Sequence, residues 1–304
     1  MSETPVVEAT PLRVLLIGAT GMLGSDVAAE ARRRGWNLVA PTSQELNLTE
    51  PRHLEQLRVH DWGNLDWVIN CAAYTAVDKA ESEFWAAQQL NGTAPGILAM
   101  ICARNKWRFL HVSSDFVFRG DASQPYRETD ETGPISKYGQ SKLFGEQNAL
   151  KENPDSLIVR TSWLFGPNGK SFPRTLINAW KEGRDLRVVA DQTGTPTYTG
   201  DLARVIGDLV SLSPGGGIFH AAGPDVMTWH DFATGAISAW KNAYGPHERE
   251  VLVSPIKTEE WPTPATRPRC SALSSEKIQS LGIAPMRPMS EAWADFVQRL
   301  GPEG

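Results

Sequence analysis

The junction at residues 13–28 constrains this chain more than any other stretch. An apolar run, RVLLI, stops at GATGMLG, where Gly18, Gly21 and Gly24 stand three apart and Met22, Leu23, Val27 and Ala28 follow at helical spacing. A strand that enters a helix through such glycines is a βα turn. Gly18 permits the tight turn, Gly21 lets the backbone approach a pyrophosphate, and Gly24 allows helix and strand to pack closely. The free N–H groups at the helix start would then face the anion. The spacing G-x-x-G-x-x-G, rather than G-x-G-x-x-G, points to the short-chain dehydrogenase type of dinucleotide turn.

The same alternation continues along the chain. After LRVLLI and a helical stretch to Arg34 come WNLVA, a helix near 51 to 59, DWVIN, a long helical segment around 83 to 104, and RFLHVSS. A helix opening at Tyr138 precedes SLIVRT, and LRVV, a helix near 200 to 212 and GIFHA follow. Strands that are apolar throughout, each followed by a helix, predict a Rossmann-type, doubly wound α/β fold whose parallel sheet has at least six strands. After about residue 222 the alternation breaks down, and VLVSPIKTEEWPTPATRPRCSALS reads as a Pro-rich loop before a last helical stretch near 288 to 300. The expected organisation is a dinucleotide-binding domain at 12–160 and about 186–221, a smaller substrate-binding lobe at about 161–185 and 222–304, and a flexible N-terminus at 1–11.

With 304 residues and 41% hydrophobic content the chain can bury a large core. A net charge of −5 without a basic run argues against nucleic acid as a partner. Three widely spaced cysteines, Cys71, Cys102 and Cys270, read as reduced thiols rather than a disulfide framework. MSETPVVEATP lacks a basic start and an apolar core, and no run approaches the ~20 apolar residues that span a bilayer. A cytoplasmic protein without membrane partners is expected. The six histidines are scattered, His111 reads as a core residue, and no metal is expected.

Chemistry is suggested where RFLHVSS ends, because ligands of a doubly wound sheet lie beyond the strand C-termini. Ser113 and Ser114 stand there, Tyr138 follows 24 residues after Ser114, and Lys142 lies one helical turn further on the same face. Reduction of a ketone by a nicotinamide needs a proton donor and a second hydrogen bond on the oxygen. Tyr138 would donate the proton and Ser114 would bind the oxygen. Lys142 would lower the phenol pKa and hold the nicotinamide ribose. The acidic residue that commonly grips the adenosine ribose is missing from VAPTSQELN, which leans the cofactor toward NADPH while leaving NADH open.

Together these motifs resemble the extended short-chain dehydrogenase/reductases, and among them the dTDP-4-dehydrorhamnose reductases. The resemblance is carried by GATGMLG, NCAAYTAVDKAE, SSDFVF, YGQSKLFGE, RTSWLFG and DQTGTPTYTGDLA, and by the later pieces GIFHAAG, TWHDFA and RPRCSALSSEKI. It implies NADPH-dependent reduction of the C4 ketone of a nucleotide-linked 4-keto-6-deoxy sugar, a small-molecule substrate, and is compatible with a homodimer, the oligomeric state being left open. It places Ser114, Tyr138 and Lys142 in the catalytic positions. It puts Gly18, Thr20, Gly21, Met22, Leu23, Asn47, Leu48, Cys71, Ala72, Ala73 and Tyr74 along the cofactor, and Thr75, Val77, Asp115, Phe116 and Trp163 around the sugar. Ser114 stands where the family usually has Thr, Phe116 where it usually has Tyr, and Cys71 where Ala is common. A serine hydroxyl can replace that of threonine, whereas Phe116 removes one polar contact. Two other readings are weighed: an epimerase or dehydratase of nucleotide sugars, and a non-catalytic subunit like the methionine adenosyltransferase β subunit.

Overall fold

The computed structural model describes residues 10–50, 52–54, 57 and 62–302. In chain order its main elements begin with β1 (Arg13–Ile17), α1 (Met22–Arg33), β2 (Asn37–Val39), β3 (Trp67–Asn70), α2 (Ala94–Asn105), β4 (Arg108–Ser114), α3 (Lys137–Glu152) and β5 (Leu157–Thr161). They continue with α4 (Phe172–Lys181), β6 (Leu186–Val189), α5 (Thr199–Leu212), β7 (Gly217–His220), α6 (Trp229–Tyr244), β8 (Val253–Ile256) and α7 (Met289–Leu300). Of the helix expected near 51 to 59, residues 52–54 and 57 are helical; the remainder lie outside the described residues, as do residues 1–9 of the expected flexible N-terminus.

Among the described residues six strands form one sheet in the order β2-β1-β3-β4-β5-β7, every neighbouring pair parallel. This is the doubly wound arrangement expected from the apolar runs. The order reverses between β1 and β3, so the crevice at the sheet's carboxyl edge opens between the glycine turn and the loop after Asn70. The strands carry apolar side chains on both faces because helices cover both. Val14, Leu16, Ile69 and Val159 pack on one side with Val27 of α1 and Ile206 of α5. Leu15, Val68, Phe109 and Ile158 pack on the other with Leu98 of α2 and Ala149 of α3. Each fully buried Leu, Ile, Val or Phe contributes roughly 1.5–3 kcal/mol.

Two elements depart from the sequence reading. LRVV forms β6, but β6 pairs with β8 outside the six-stranded sheet. Arg187 is exposed between half-buried Leu186 and buried Val188, so this strand has a solvated face that a central parallel strand lacks. Its partner β8 lies in the stretch read as loop, where Pro255 has no N–H for a ladder and masks the strand. The second departure is α6, which follows the point where the alternation was read as ending. Its start carries a capping box, Thr228 accepting from Asp231 N and Asp231 from Thr228 N. A third apolar core forms around it, rich in rings: Phe165, Trp180, Tyr198, Phe232, Trp240 and Phe296. No helix among the described residues is long and apolar enough to cross a membrane.

Candidate active site

The glycine turn is shaped by close backbone approach. Gly18 has φ +80°, and a Cβ there would lie 2.7 Å from Ala72 N. A Cβ at Gly24 would lie 2.0 Å from Gly18 O, so any side chain would push α1 off the turn. Gly21 differs, since a Cβ there would meet only Gly18 O, at 3.3 Å, and the space it leaves opens outward. As the N-cap of α1, Gly21 supplies no side-chain cap, and the first turn has no acidic residue. Free N–H groups without a competing carboxylate suit a pyrophosphate, so the residues present fit a dinucleotide.

Thr20 and Met22 border this turn at the surface and half-buried, respectively. Leu23 and Leu48 are buried in the two sheet cores, so only their backbone could face a ligand. Asn47 closes its own turn, its Oδ1 accepting from Thr49 N at 3.0 Å. Cys71, Ala72, Ala73 and Tyr74 run off β3 half-buried. Asn70 Oδ1 holds Ala72 N at 3.0 Å, and Asn91 holds both Tyr74 N at 2.8 Å and Tyr74 O at 3.0 Å. Asn91 lies in a π-helical turn, Gln88–Thr93, just before α2, and also donates to Ser141 Oγ of α3. This residue escaped the sequence reading, because Asn91 follows Gln88 and Gln89 in the same segment and nothing local sets it apart from them.

Tyr138 stands in the first turn of α3, whose N-cap Ser136 accepts from Gly139 N at 3.1 Å. A Cβ at Gly139 would lie 2.2 Å from Phe116 O, so this glycine lets the helix settle on the loop after β4. The phenol is buried with Tyr74, Val77 and Phe116, and meets the Phe116 ring edge to face at 5.4 Å. Burial pushes Tyr138 up to about 12; the Ser114 hydroxyl opposes this and the charge of Asp115 adds to it.

Lys142 is also buried. Its Nζ donates to Val112 O at 2.7 Å and lies 3.4 Å from His111 Nε2. His111 Nδ1 in turn lies 3.1 Å from Asn70 Nδ2, the two residues being paired in register across β3 and β4. Burial pulls Lys142 down to about 8, against the opposing pull of Glu146 and Cys71, and burial beside this lysine holds His111 well below its ordinary value. Lys142 was expected to lower the phenol pKa. Its Nζ is turned to the β4 carbonyl, and burial dominates at Tyr138.

Ser114 ends β4, donating to Asp115 Oδ1 at 2.9 Å and accepting from Phe116 N at 3.2 Å. Burial raises Asp115 to about 6, opposed by the Ser271 and Ser114 hydroxyls. Beneath them, Ser113 donates to Glu146 of α3, which also takes a bidentate pair from Arg160 at 2.9 and 2.7 Å. Ser113 and Arg160 are register partners, so Glu146 spans both strands and anchors the helix that carries Tyr138.

Thr75 is exposed in the β3 loop, whereas Val77 packs with Tyr138. Trp163, half-buried, packs against the third core, with a strained φ of 44° and its ring stacked on Trp229 at 3.4 Å. A Cβ at Gly194 would fall 2.5 Å from the Trp163 ring, which accounts for the glycine in DQTGTPT. Nearby, Phe172, Trp229, Trp261, Thr263 and Arg267 line a cavity of about 610 Å³. Arg267 makes a bidentate pair with Asp78 at 2.9 and 2.8 Å, tying the C-terminal third to the β3 loop.

A phosphate-accepting turn and a buried tyrosine with a lysine one turn on, all at the switch point of a parallel sheet, meet the needs of hydride chemistry on a carbonyl. The fold and the site make this chain a nicotinamide-dependent oxidoreductase of the short-chain dehydrogenase/reductase class. Residues 12–301 match the family described as "RmlD substrate binding domain", and the chain belongs to that family. It is similar to the dTDP-4-dehydrorhamnose reductase of Mycolicibacterium smegmatis, at 39% identity over 94% of this chain and 85% of that protein. It is also similar to a probable dTDP-4,6-dihydroxy-2-methyloxan-3-one 4-ketoreductase of Streptomyces antibioticus, at 37% identity over 94% and 96%. The crystal structure of dTDP-4-dehydrorhamnose reductase from Bacillus anthracis in complex with NADP superposes with a TM-score of 0.87, at 32% identity over 94% of this chain and 99% of that one.

Proposed function

We propose that this chain reduces the C4 ketone of dTDP-4-keto-6-deoxy-L-mannose, dTDP-4-dehydrorhamnose, to dTDP-L-rhamnose in the cytoplasm, with NADPH preferred and NADH usable. The observation that carries the reading is the meeting of Ser114, Tyr138 and Lys142 at the carboxyl edge of the sheet, beside the glycine turn. Bound NADPH supplies the hydride. Tyr138, whose phenol keeps its proton at neutral pH, gives that proton to the ketone oxygen, and Ser114 donates a second hydrogen bond to it. Lys142, still charged below about pH 8, stabilises the phenolate left behind and hydrogen-bonds the ribose of the cofactor. The glycine turn holds the pyrophosphate, and Tyr74, Val77 and Phe116 exclude water from the phenol.

Turnover of dTDP-4-dehydrorhamnose, followed by loss of the reduced-nicotinamide absorbance, tests the reading. Binding of NADPH without turnover would overturn it in favour of a non-catalytic role. Phe116 supports a second reading, reduction of a different 4-keto-6-deoxy sugar on the same nucleotide, because the phenyl ring cannot hydrogen-bond a sugar hydroxyl. Comparing kcat/KM across 4-keto sugars separates the two.

A further inference from the structure

A run of hydrogen bonds joins the glycine turn to Lys142, and it has a direction. Ala72 N, the amide beside Gly18, donates to Asn70 Oδ1 at 3.0 Å. That bond fixes which end of the Asn70 amide is oxygen, so the Nδ2 group is the one that lies 3.1 Å from His111 Nδ1. An amide NH₂ can only donate, so His111 Nδ1 accepts. Burial above all holds His111 well below its ordinary value, so the ring is neutral and has one proton, which must sit on Nε2.

Nε2 is the nitrogen that faces Lys142 Nζ, at 3.4 Å, while Nζ itself donates to Val112 O at 2.7 Å. The seat of Lys142 therefore offers one N–H and one carbonyl. A neutral amine satisfies both, its lone pair accepting from Nε2–H and one of its own N–H groups donating to Val112 O. An ammonium has three N–H groups and no lone pair, so in this seat one N–H would stand against another, in a dry interior where an unmet donor is costly. The titratable groups around Lys142 are Tyr138 and Glu146 on its own helix, Cys71 just after β3 and His111 on β4. Glu146 favours the ammonium by its charge but is committed to Ser113 and Arg160, and Cys71 keeps its proton, burial pushing the thiol up to about 12. His111 is the neighbour whose hydrogen bonding tells amine from ammonium.

We infer that His111 is a positioning residue for Lys142: locked by Asn70 with its proton on Nε2, it gives the lysine a seat on β4 that suits the amine and turns the ammonium out of that seat, toward the cofactor. The inference rests on the reductase reading, which places the acceptors for the ammonium in the ribose hydroxyls of NADPH. Burial already brings Lys142 down to about 8, so one opposed N–H is enough to decide between the two forms near neutral pH. The lock depends on Asn70 being an amide. A carboxylate at that position would accept from Nδ1–H instead and turn the Nε2 lone pair toward the lysine.

The test compares wild type, Asn70→Asp and the Asn70→Asp, His111→Phe double variant. Long-range ¹H–¹⁵N NMR reads which ring nitrogen of His111 carries the proton, ¹³C NMR of the lysine Cε reads the titration of Lys142, and kcat is followed across pH. Wild type should show a bare Nδ1 and a protonated Nε2 at neutral pH. In Asn70→Asp one carboxylate oxygen can still accept from Ala72 N while the other takes Nδ1–H, so the ring proton should move to Nδ1. The Lys142 titration and the alkaline limb of kcat should then both rise by about one unit, because kcat falls as Lys142 loses its charge and a higher pKa carries that loss to higher pH. The double variant keeps the added charge but has no ring nitrogen, and at least about half of the rise should disappear. A proton on Nδ1 in wild type overturns the inference without any variant. An unmoved Lys142 titration in Asn70→Asp overturns it as well, as does a rise kept in full by the double variant, which would be an effect of charge alone. A wild type that binds NADPH but reduces no sugar nucleotide defeats the reductase reading instead; the NMR measurements then still decide whether His111 sets the charge of Lys142.

Discussion

The carboxyl edge of the sheet and the aromatic core of the C-terminal third hold their side chains by opposite means. At the sheet edge buried polar groups are tied across the elements: Lys142 to Val112, His111 to Asn70, Glu146 to Ser113 and Arg160. In the aromatic core Trp163, Trp229, Phe172 and Phe232 hold one another by ring contact, and ion pairs such as Arg187–Glu260 lie at the exposed rim. The difference teaches where function tolerates change. A hydrogen-bonded site in a dry interior fails when one partner goes, because the other is left buried and unpaired, whereas a stack of rings loses contact area by degrees.

The largest effect should come from Tyr138→Phe, which keeps the ring packing on Phe116 and removes only the proton donor. Turnover should fall about 10³-fold with NADPH affinity unchanged, as general acid catalysis contributes roughly 10²–10⁴-fold. Near-normal turnover would break the assignment of the proton to this phenol. Arg160→Met comes next and probes stability. It leaves Glu146 charged and buried beneath Ser113, so chemical denaturation should report a loss of about 3–5 kcal/mol. The double change Arg160→Met, Glu146→Leu should recover much of it, since no orphan charge remains.

Asp115→Asn sharpens the same contrast through pH. The folded-state pKa of Asp115, about 6, stands above its ordinary value of 3.8. Its contribution to stability is therefore fully present below the lower value and is lost as pH rises through the higher one, a change of about 3 kcal/mol. Asparagine is neutral throughout, so the variant should gain on wild type from acid to neutral pH in urea unfolding. A constant difference across that window would mean that the carboxyl is not buried in the ionised form. In the aromatic core, Trp229→Leu should cost less, about 1 kcal/mol for the lost ring pair beyond its burial, together with a raised KM for the nucleotide sugar.

The two regions were also unequally legible in the sequence. Gly18, Gly24, Ser114, Tyr138 and Lys142 announce themselves because turn geometry and the helical repeat act over a few residues, and those rules survive in any chain that folds this way. His111 was read as a plain core residue, and only the β3–β4 register reveals that it bridges Asn70 and Lys142. Asn91 and Arg267 reach the site through pairings set by tertiary topology, which no local spacing encodes. Trp163 was read as a face for a sugar. One of its faces is occupied by Trp229, 66 positions later in the chain, and a stack between rings so far apart leaves no periodic trace.

The smallest effect belongs at the rim, where Arg187 of β6 meets Glu260 at 2.8 Å with both side chains about half exposed. Water and salt screen such a pair, and ordering two long side chains offsets much of the attraction. Arg187→Ala should change unfolding stability by less than about 0.5 kcal/mol, and raising the salt concentration should erase even that. Arg187 also lines the cavity of about 610 Å³, however, and an anionic ligand there would give its charge a partner that Glu260 cannot match. The two roles separate in one experiment. If stability and KM for the nucleotide sugar are both unmoved, the residue is solvated rim. If KM rises several-fold at unchanged stability and kcat, the cavity receives the charged end of the substrate, and the aromatic core takes part in binding through its rim rather than through its rings.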